Sequence, residues 1–209
     1  MKCTYVCISL FLLLATSVKA ARWRDITPEE FAQKEALVDP EFGAEIIFSE
    51  AKLEQDITYS GITTGSFQFY NRIKVFNEQG VEEISKFELV YSKGREIRRV
   101  EGRTVKPDGT VIELDRDDIF DKEVIRKGRT NLRATSFAFP NLEPGDIIEL
   151  QYSQRSGKTA FFVTIDFTSK LPAQRVLREL KPFNFSGVGH RIIWFNIPDE
   201  NKEEERDGT

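Results

Sequence analysis

From residue 44 onward the chain alternates apolar and polar side chains with a period of two. Phe67, Phe69, Ile73 and Val75 share one parity of a long run, with Gln68, Arg72 and Lys74 on the other. Phe87, Leu89 and Tyr91 repeat the pattern against Lys86 and Glu88. Such alternation marks strands with one face buried and one face wet. Further runs lie at 45–49, 98–106, 110–114, 136–139, 147–153, 161–167 and 191–197. Turn chemistry separates them. Asn77-Glu78-Gln79-Gly80 suits a hairpin loop with a left-handed glycine, and Pro107-Asp108-Gly109 joins two runs. Glu143-Pro144-Gly145 places Pro and Gly where a type II turn needs them. Short strands with regular turn signals predict an all-β, antiparallel β-sandwich-like domain. Before them, Thr27-Pro28-Glu29-Glu30 carries a capping box and predicts one short N-terminal helix, ended by Asp39-Pro40 and Gly43. Phe31 and Leu37 supply its apolar side, and Trp23 is its packing anchor.

The first twenty residues follow a different pattern. Met1-Lys2 is a short positive start, an apolar run follows, and Val18-Lys19-Ala20 offers small residues for cleavage between Ala20 and Ala21. This is the pattern of a secretory signal peptide, too short for a spanning helix. The predicted organisation is a signal peptide at 1–20, a single β-rich domain at 21–198, and an acidic solvated tail or linker at 199–209. The expected location is periplasmic, cell-envelope or secreted, with no stable membrane span. Both cysteines, Cys3 and Cys7, leave with the signal peptide, as do Lys2 and Lys19, which takes the net charge from −4 to −6. Sixteen phenylalanines remain to fill the space between two sheets.

The mature inventory excludes thiol catalysis and a Cys-based zinc site. His190, the one histidine, lies in Gly187-Val188-Gly189-His190 with no nucleophile elbow, and is read as a strand-edge residue. Residues 176–181 allow a helical turn or an edge strand, stopped by Pro182. Gly61-Ile62-Thr63-Thr64-Gly65 lacks the ending of a phosphate loop and reads as a bend. Asn184-Phe185-Ser186 is a glycosylation sequon. Asp115, Asp117, Asp118 and Asp121 could gather calcium, against a default of a solvated acidic loop. No cofactor is expected. Arg95, Arg98, Arg99, Arg103 and Lys106 alternate with Glu96 and Glu101 and point to cross-strand ion pairing. Arg126, Lys127, Arg129 and Arg133, with Gly128 and Asn131, form a less balanced group. It reads as a basic loop, the candidate interaction surface for an acidic partner. The acidic, exported chain argues against nucleic acid.

The ordered segments resemble a family. They are Trp23 with Thr27-Pro28-Glu29-Glu30, then Ile73-Lys74-Val75-Phe76-Asn77-Glu78-Gln79-Gly80 as a first long hairpin, and Arg103-Thr104-Val105-Lys106-Pro107-Asp108-Gly109-Thr110-Val111-Ile112 as a second. The last is Phe137-Ala138-Phe139-Pro140-Asn141-Leu142-Glu143-Pro144-Gly145-Asp146-Ile147-Ile148-Glu149. Together they resemble the bacterial domain of unknown function that precedes transglutaminase-like cores in exported proteins. The resemblance implies an all-β domain, no catalytic residues to carry over, and a transglutaminase-like or other envelope protein as partner. The leading reading is a non-catalytic accessory or interaction domain. One alternative is a carbohydrate- or peptide-binding module using Trp23, Tyr59, Tyr70, Tyr91 or Trp194. The other is a carboxylate-dependent hydrolase, which needs two carboxylates converging in a pocket. The oligomeric state is not legible.

Overall fold

The computed structural model describes residues 23–57, 63–92, 94–127, 130–156, 164–182 and 191–202. The signal-peptide pattern with Ala20 and Ala21, the start of the Gly61–Gly65 bend, Tyr59, Arg129, the 184–186 sequon and His190 lie outside the described residues. So do the side chains of Arg126 and Lys127 and the end of the acidic tail.

Among the described residues, nine strands form two sheets. The strands are β1 (Ala44–Ile57), β2 (Thr63–Val75), β3 (Lys86–Ser92), β4 (Arg95–Val105), β5 (Val111–Glu113), β6 (Phe120–Lys127), β7 (Thr130–Ala138), β8 (Ile147–Ser156) and β9 (Val176–Lys181). The large sheet has the order β5-β4-β8-β2-β1-β9 and the small one β3-β7-β6. All pairings are antiparallel except β1 with β9, so the 176–181 segment is a parallel edge strand. The sandwich expected from the alternation is present.

The core lies between the sheets. Ala44, Ile46, Ile73, Val75, Ile148 and Leu150 of the large sheet meet Phe137 of the small sheet and the neighbouring Phe139. A bulge between Ile46 and Phe48 keeps β1 in phase with this core. It switches the strand's parity, so that Ser49, Ala51 and Leu53 continue the inner face begun by Ala44 and Ile46. The two turns read from the sequence are built as expected. Gly109 and Gly145 have φ of 87° and 96°, and the Asp146 amide donates to the Glu143 carbonyl across the second turn.

Several expectations change. Asn77-Glu78-Gln79-Gly80 is not a hairpin loop but the start of helix α2 (Glu78–Ile84), which carries the chain from the large sheet to the small one. Asn77 caps it, its Oδ1 accepting from the Gly80 amide at 3.1 Å, and Gly80 is buried in the helix rather than left-handed. The cap satisfies a donor that the first turn would leave free. Asn77→Ala is therefore expected to cost about 1 kcal/mol of unfolding free energy, read by urea denaturation. Helix α1 (Pro28–Ala32) has the expected capping box but ends at Ala32, and Leu37 is exposed. The basic loop of Arg126, Lys127 and Arg133 is largely the β6–β7 hairpin. Residues 191–197 are not a strand. Ile193 and Phe195 are 61% and 77% exposed, so their alternation serves no buried face.

Candidate functional site

The polar parity of β2 reads as a wet face; Gln68 is exposed as that requires, but the structure buries Arg72 and Lys74. Residues 23–36 lie across the outer face of the large sheet. Beneath them the register aligns Phe48, Arg72, Glu149, Arg103 and Glu113 from five adjacent strands. Glu149 is fully buried and Arg72 is 2% exposed. One Glu149 oxygen accepts from Arg72 Nε at 2.9 Å, from Arg72 NH2 at 2.7 Å and from the Tyr70 hydroxyl at 2.5 Å. The other accepts from Arg103 Nε at 2.7 Å. Arg72 also reaches up into the roof, donating to the Arg24 and Asp25 carbonyls and pairing with Glu30 at 2.9 Å. Trp23 covers Arg103, whose guanidinium carbon lies 4.8 Å from the indole, and packs edge-on against Tyr70. Arg24 pairs with Glu50 beside it. The tryptophan is the packing anchor expected.

The electrostatics follow from this enclosure. Burial disfavours the Arg72 charge, but Glu149 and Glu30 outweigh it and hold the guanidinium above its ordinary pKa. Burial, reinforced by the bond to Glu149, raises the Tyr70 phenol. Glu45 is a second fully buried carboxylate, one row along. Burial pushes its pKa up, yet bonds from the Gln174 side chain, the Val38 and Leu37 amides and the Gln33 side chain leave it below the usual value. Lys74, also buried, donates to the carbonyls of Gly145 at 2.5 Å and Phe31 at 3.3 Å, and burial lowers its pKa. Arg72 and Lys74 hold the roof to the sheet, and Glu149 and Glu45 each accept several hydrogen bonds. A carboxylate bonded on both oxygens to two guanidinium groups is no general acid or base.

The inner face of the large sheet offers a different arrangement. Beyond the small sheet it opens into a half-enclosed cleft of about 280 Å³. Leu53, Phe67, Phe69, Asn71 and Tyr152 form its floor, and Asp166, Thr168 and Arg178 part of its wall. The aromatic rings stack on one another, Phe67 to Phe69 at 6.0 Å and Phe69 to Tyr152 at 4.5 Å. Arg178 is fixed by the Asp166 carbonyl, the Ser49 carbonyl and the Ser49 hydroxyl, and burial lowers its pKa. Asp166 accepts from the Thr168 amide and hydroxyl, which holds its carboxyl below the usual range, the opposite of what a general acid requires. Asn71 Oδ1 is buried with no hydrogen-bond partner among the described residues.

Burial pushes the Tyr152 phenol up to about 12. The fold favours its neutral form, so this stabilisation is complete below the unfolded value near 10 and disappears as pH rises through about 12. Tyr152→Phe is expected to remove roughly 2–3 kcal/mol of the stability loss between those limits. Urea unfolding of both proteins at stepped alkaline pH reads the difference.

The residues singled out in the sequence are dispersed. Arg133 pairs with Asp121, which also accepts from the buried Tyr91 hydroxyl at 2.6 Å. Asp115 caps a short 3-10 turn over Arg116–Asp118, accepting from the Asp117 amide, while Asp121 lies on β6. Only Asp121 is separated from the other three aspartates, and among the described residues no group of three or more candidate ligands could hold a metal. Of the cross-strand ion pairing expected around β4, Arg103 with Glu149 is present, whereas Arg98 pairs with Glu96 on its own strand and Lys106 with Glu143 and Asp146 of the turn before β8. The cleft was missed, because Asn71 sits in an ordinary apolar register. The roofed carboxylates carried a visible signal, since Glu149 and Glu45 interrupt the runs Ile147-Ile148-Glu149-Leu150 and Ala44-Glu45-Ile46-Ile47.

Residues 63–202 match the profile of a domain of unknown function with a solved structure, DUF3857. The chain belongs to the DUF3857 family. No curated protein sequence matches it significantly. The match begins with β2, so β1 and the roof at 23–36 precede the DUF3857 segment proper. Among solved structures it is similar to a candidate protease from Parabacteroides distasonis, with 16% identity and a TM-score of 0.49 over 67% of this chain and 28% of that one. It is also similar to an M1 zinc metallopeptidase from Deinococcus radiodurans, with 12% identity and a TM-score of 0.29 over 64% of this chain and 24% of that one. A family 3a carbohydrate-binding module of the Clostridium thermocellum CipA scaffolding shows 12% identity and a TM-score of 0.26 over 52% and 75%. The DUF3857 chain thus spans about a quarter of the first two proteins. None of these three likenesses bears on activity.

Proposed function

We propose that this DUF3857 chain is an exported, non-catalytic interaction domain that works beside a catalytic or envelope partner, such as a transglutaminase-like core. The division of its two sheet faces carries the reading. The charged groups dense enough to do chemistry are saturated under the roof, whereas the cleft on the inner face holds unsatisfied polarity and apolar surface. The leader pattern at 1–20 supports export, and the resemblance of the ordered motifs supports the partner class. No helix among the described residues is long and apolar enough to cross a membrane.

The test has two parts. Mature protein is assayed for peptide, ester and glycoside hydrolysis, and the native protein is cross-linked in intact cells. The expected result is no turnover above buffer and one stoichiometric cross-linked partner in the envelope fraction. Turnover abolished by a single carboxylate substitution in the cleft would overturn the reading.

A further inference from the structure

Residues 23–38, the roof and its exit, meet the large sheet as a bound peptide does. Among the described residues, no backbone–backbone hydrogen bond joins them to the rest of the chain. Side chains of the sheet grip their main chain instead. The Arg24 amide donates to the Tyr70 hydroxyl at 3.0 Å, and Arg72 donates to the Arg24 and Asp25 carbonyls at 2.6 and 3.1 Å. Lys74 donates to the Phe31 carbonyl at 3.3 Å, and Glu45 accepts from the Leu37 and Val38 amides at 3.1 and 2.7 Å. Cations thus take carbonyls and a carboxylate takes amides, bonds strengthened by charge that read no side chain of the segment.

Selectivity comes from three anchors. Trp23 lies on the Arg103 guanidinium, Arg24 pairs with Glu50, and Glu30 pairs with Arg72. The charge and spacing of these anchors fit the roof of this chain, from its own copy or from a second one. The segment is also lightly held. Only Ala36 within it is buried, helix α1 buries no residue, and none of residues 23–38 belongs to the core cluster. Lifting it hands Arg72, Lys74 and Glu45 to water rather than stranding them, and Glu149 keeps both Arg72 and Arg103. Such a segment opens at a lower free energy than the sandwich beneath it. Exposed Pro40 and Glu41 form the turn that joins it to β1, and this turn is the hinge.

We infer that the outer face of the large sheet is a peptide site that reads main chain, that residues 23–38 are its ligand, and that the roof of a second copy takes the same place in a roof-exchanged dimer. Exchange of an identical element is a low-cost route to such dimers.

The test uses the mature protein with a protease recognition sequence inserted between Pro40 and Glu41. After cutting, the freed roof is expected to stay bound on size exclusion, and a fluorescein-labelled synthetic peptide of residues 21–40 to replace it faster than the sandwich unfolds. The unfolding limb of a urea chevron supplies that rate, and hydrogen exchange follows the core amides of β1, β2 and β8. The peptide N-methylated at Leu37 and Val38 loses both donors to Glu45. It is expected to bind at least about tenfold weaker, the scale of one lost hydrogen bond to a charged group. The peptide carrying Lys34→Ala, Glu35→Ala and Leu37→Ala keeps every grip and is expected to bind within about threefold of the original. The uncut protein, concentrated and then diluted, is expected to give a dimer that cutting at the hinge returns to monomers. Peptide entry no faster than unfolding makes the roof part of the fold and overturns the inference, as does loss of core protection when the roof leaves. Equal binding of the N-methylated peptide overturns main-chain reading. A chain that stays monomeric, or a dimer that survives cutting, overturns the exchange between copies.

Discussion

Glu149→Ala is expected to destabilise the domain by about 3–5 kcal/mol, the cost of breaking a buried ion pair from one side. Two guanidinium groups depend on this one carboxylate. Without it, among the described residues Arg72 keeps Glu30, two carbonyls and the Phe48 ring, and Arg103 keeps its stack on Trp23 and whatever Glu113 supplies at the sheet edge. The Tyr70 hydroxyl loses its acceptor as well. The roof is tied to the sheet through these groups, so residues 23–36 should lose protection from hydrogen exchange before the core does. The cost arises from stranded charge rather than from a large net attraction. The triple variant Glu149→Leu, Arg72→Met, Arg103→Met should therefore be more stable than Glu149→Ala alone. Urea denaturation of the three proteins at one pH ranks them. A triple variant less stable than the single one contradicts this account.

Gly80→Ala is expected to destabilise by about 1–3 kcal/mol, although alanine in a helix interior normally gains up to about 1 kcal/mol over glycine. The sign is the informative part. A Cβ at Gly80 would overlap the carbonyl carbon and oxygen of Gly43, and a Cβ at Gly43 would overlap Asn77 Oδ1 and the Gly80 amide. The obstacles around Gly80 are backbone atoms, so nothing can swing aside. The same carbonyl of Gly43 accepts from the Phe76 amide at 2.8 Å, which fixes the helix to the start of β1. The double variant Gly43→Ala, Gly80→Ala should not recover the loss, since both changes occupy one gap. Thermal unfolding of single and double variants checks this. A stabilised Gly80→Ala protein would mean that the two segments are not in contact.

The strand parities were legible wherever a face was buried against the other sheet. Phe67, Phe69, Ile73 and Val75 point inward as their spacing predicts, and Gly109 and Gly145 take the left-handed conformations that their turns demand. The opposite parity misled, because Arg72 and Lys74 have the composition of a wet face. Whether such a face is wet depends on what lies over it, and the cover is a short, irregular stretch some 40 residues upstream that has almost no periodicity of its own. Helix α2 was hidden by its cap, since Asn-x-x-Gly reads equally as a turn, and seven residues are too few to show a helical stripe. Strand β6 was hidden for another reason. Phe120, Val124 and Ile125 are exposed among charges, so no inward set stands out. Residues 191–197 erred in the other direction, alternating without a sheet to receive them. The cleft depends on where the small sheet stops, which is a property of the assembled sandwich and of no segment alone.

The central claim is a division of labour: the charges under the roof hold the fold, and the cleft on the opposite face meets the partner. Cross-linking to the envelope partner in intact cells, measured in parallel for the wild type and Glu149→Gln, each held well below its unfolding transition, tests it most directly. The account predicts that Glu149→Gln lowers stability and leaves the cross-linked partner unchanged. Loss of the cross-linked partner with Glu149→Gln in the folded protein would contradict it.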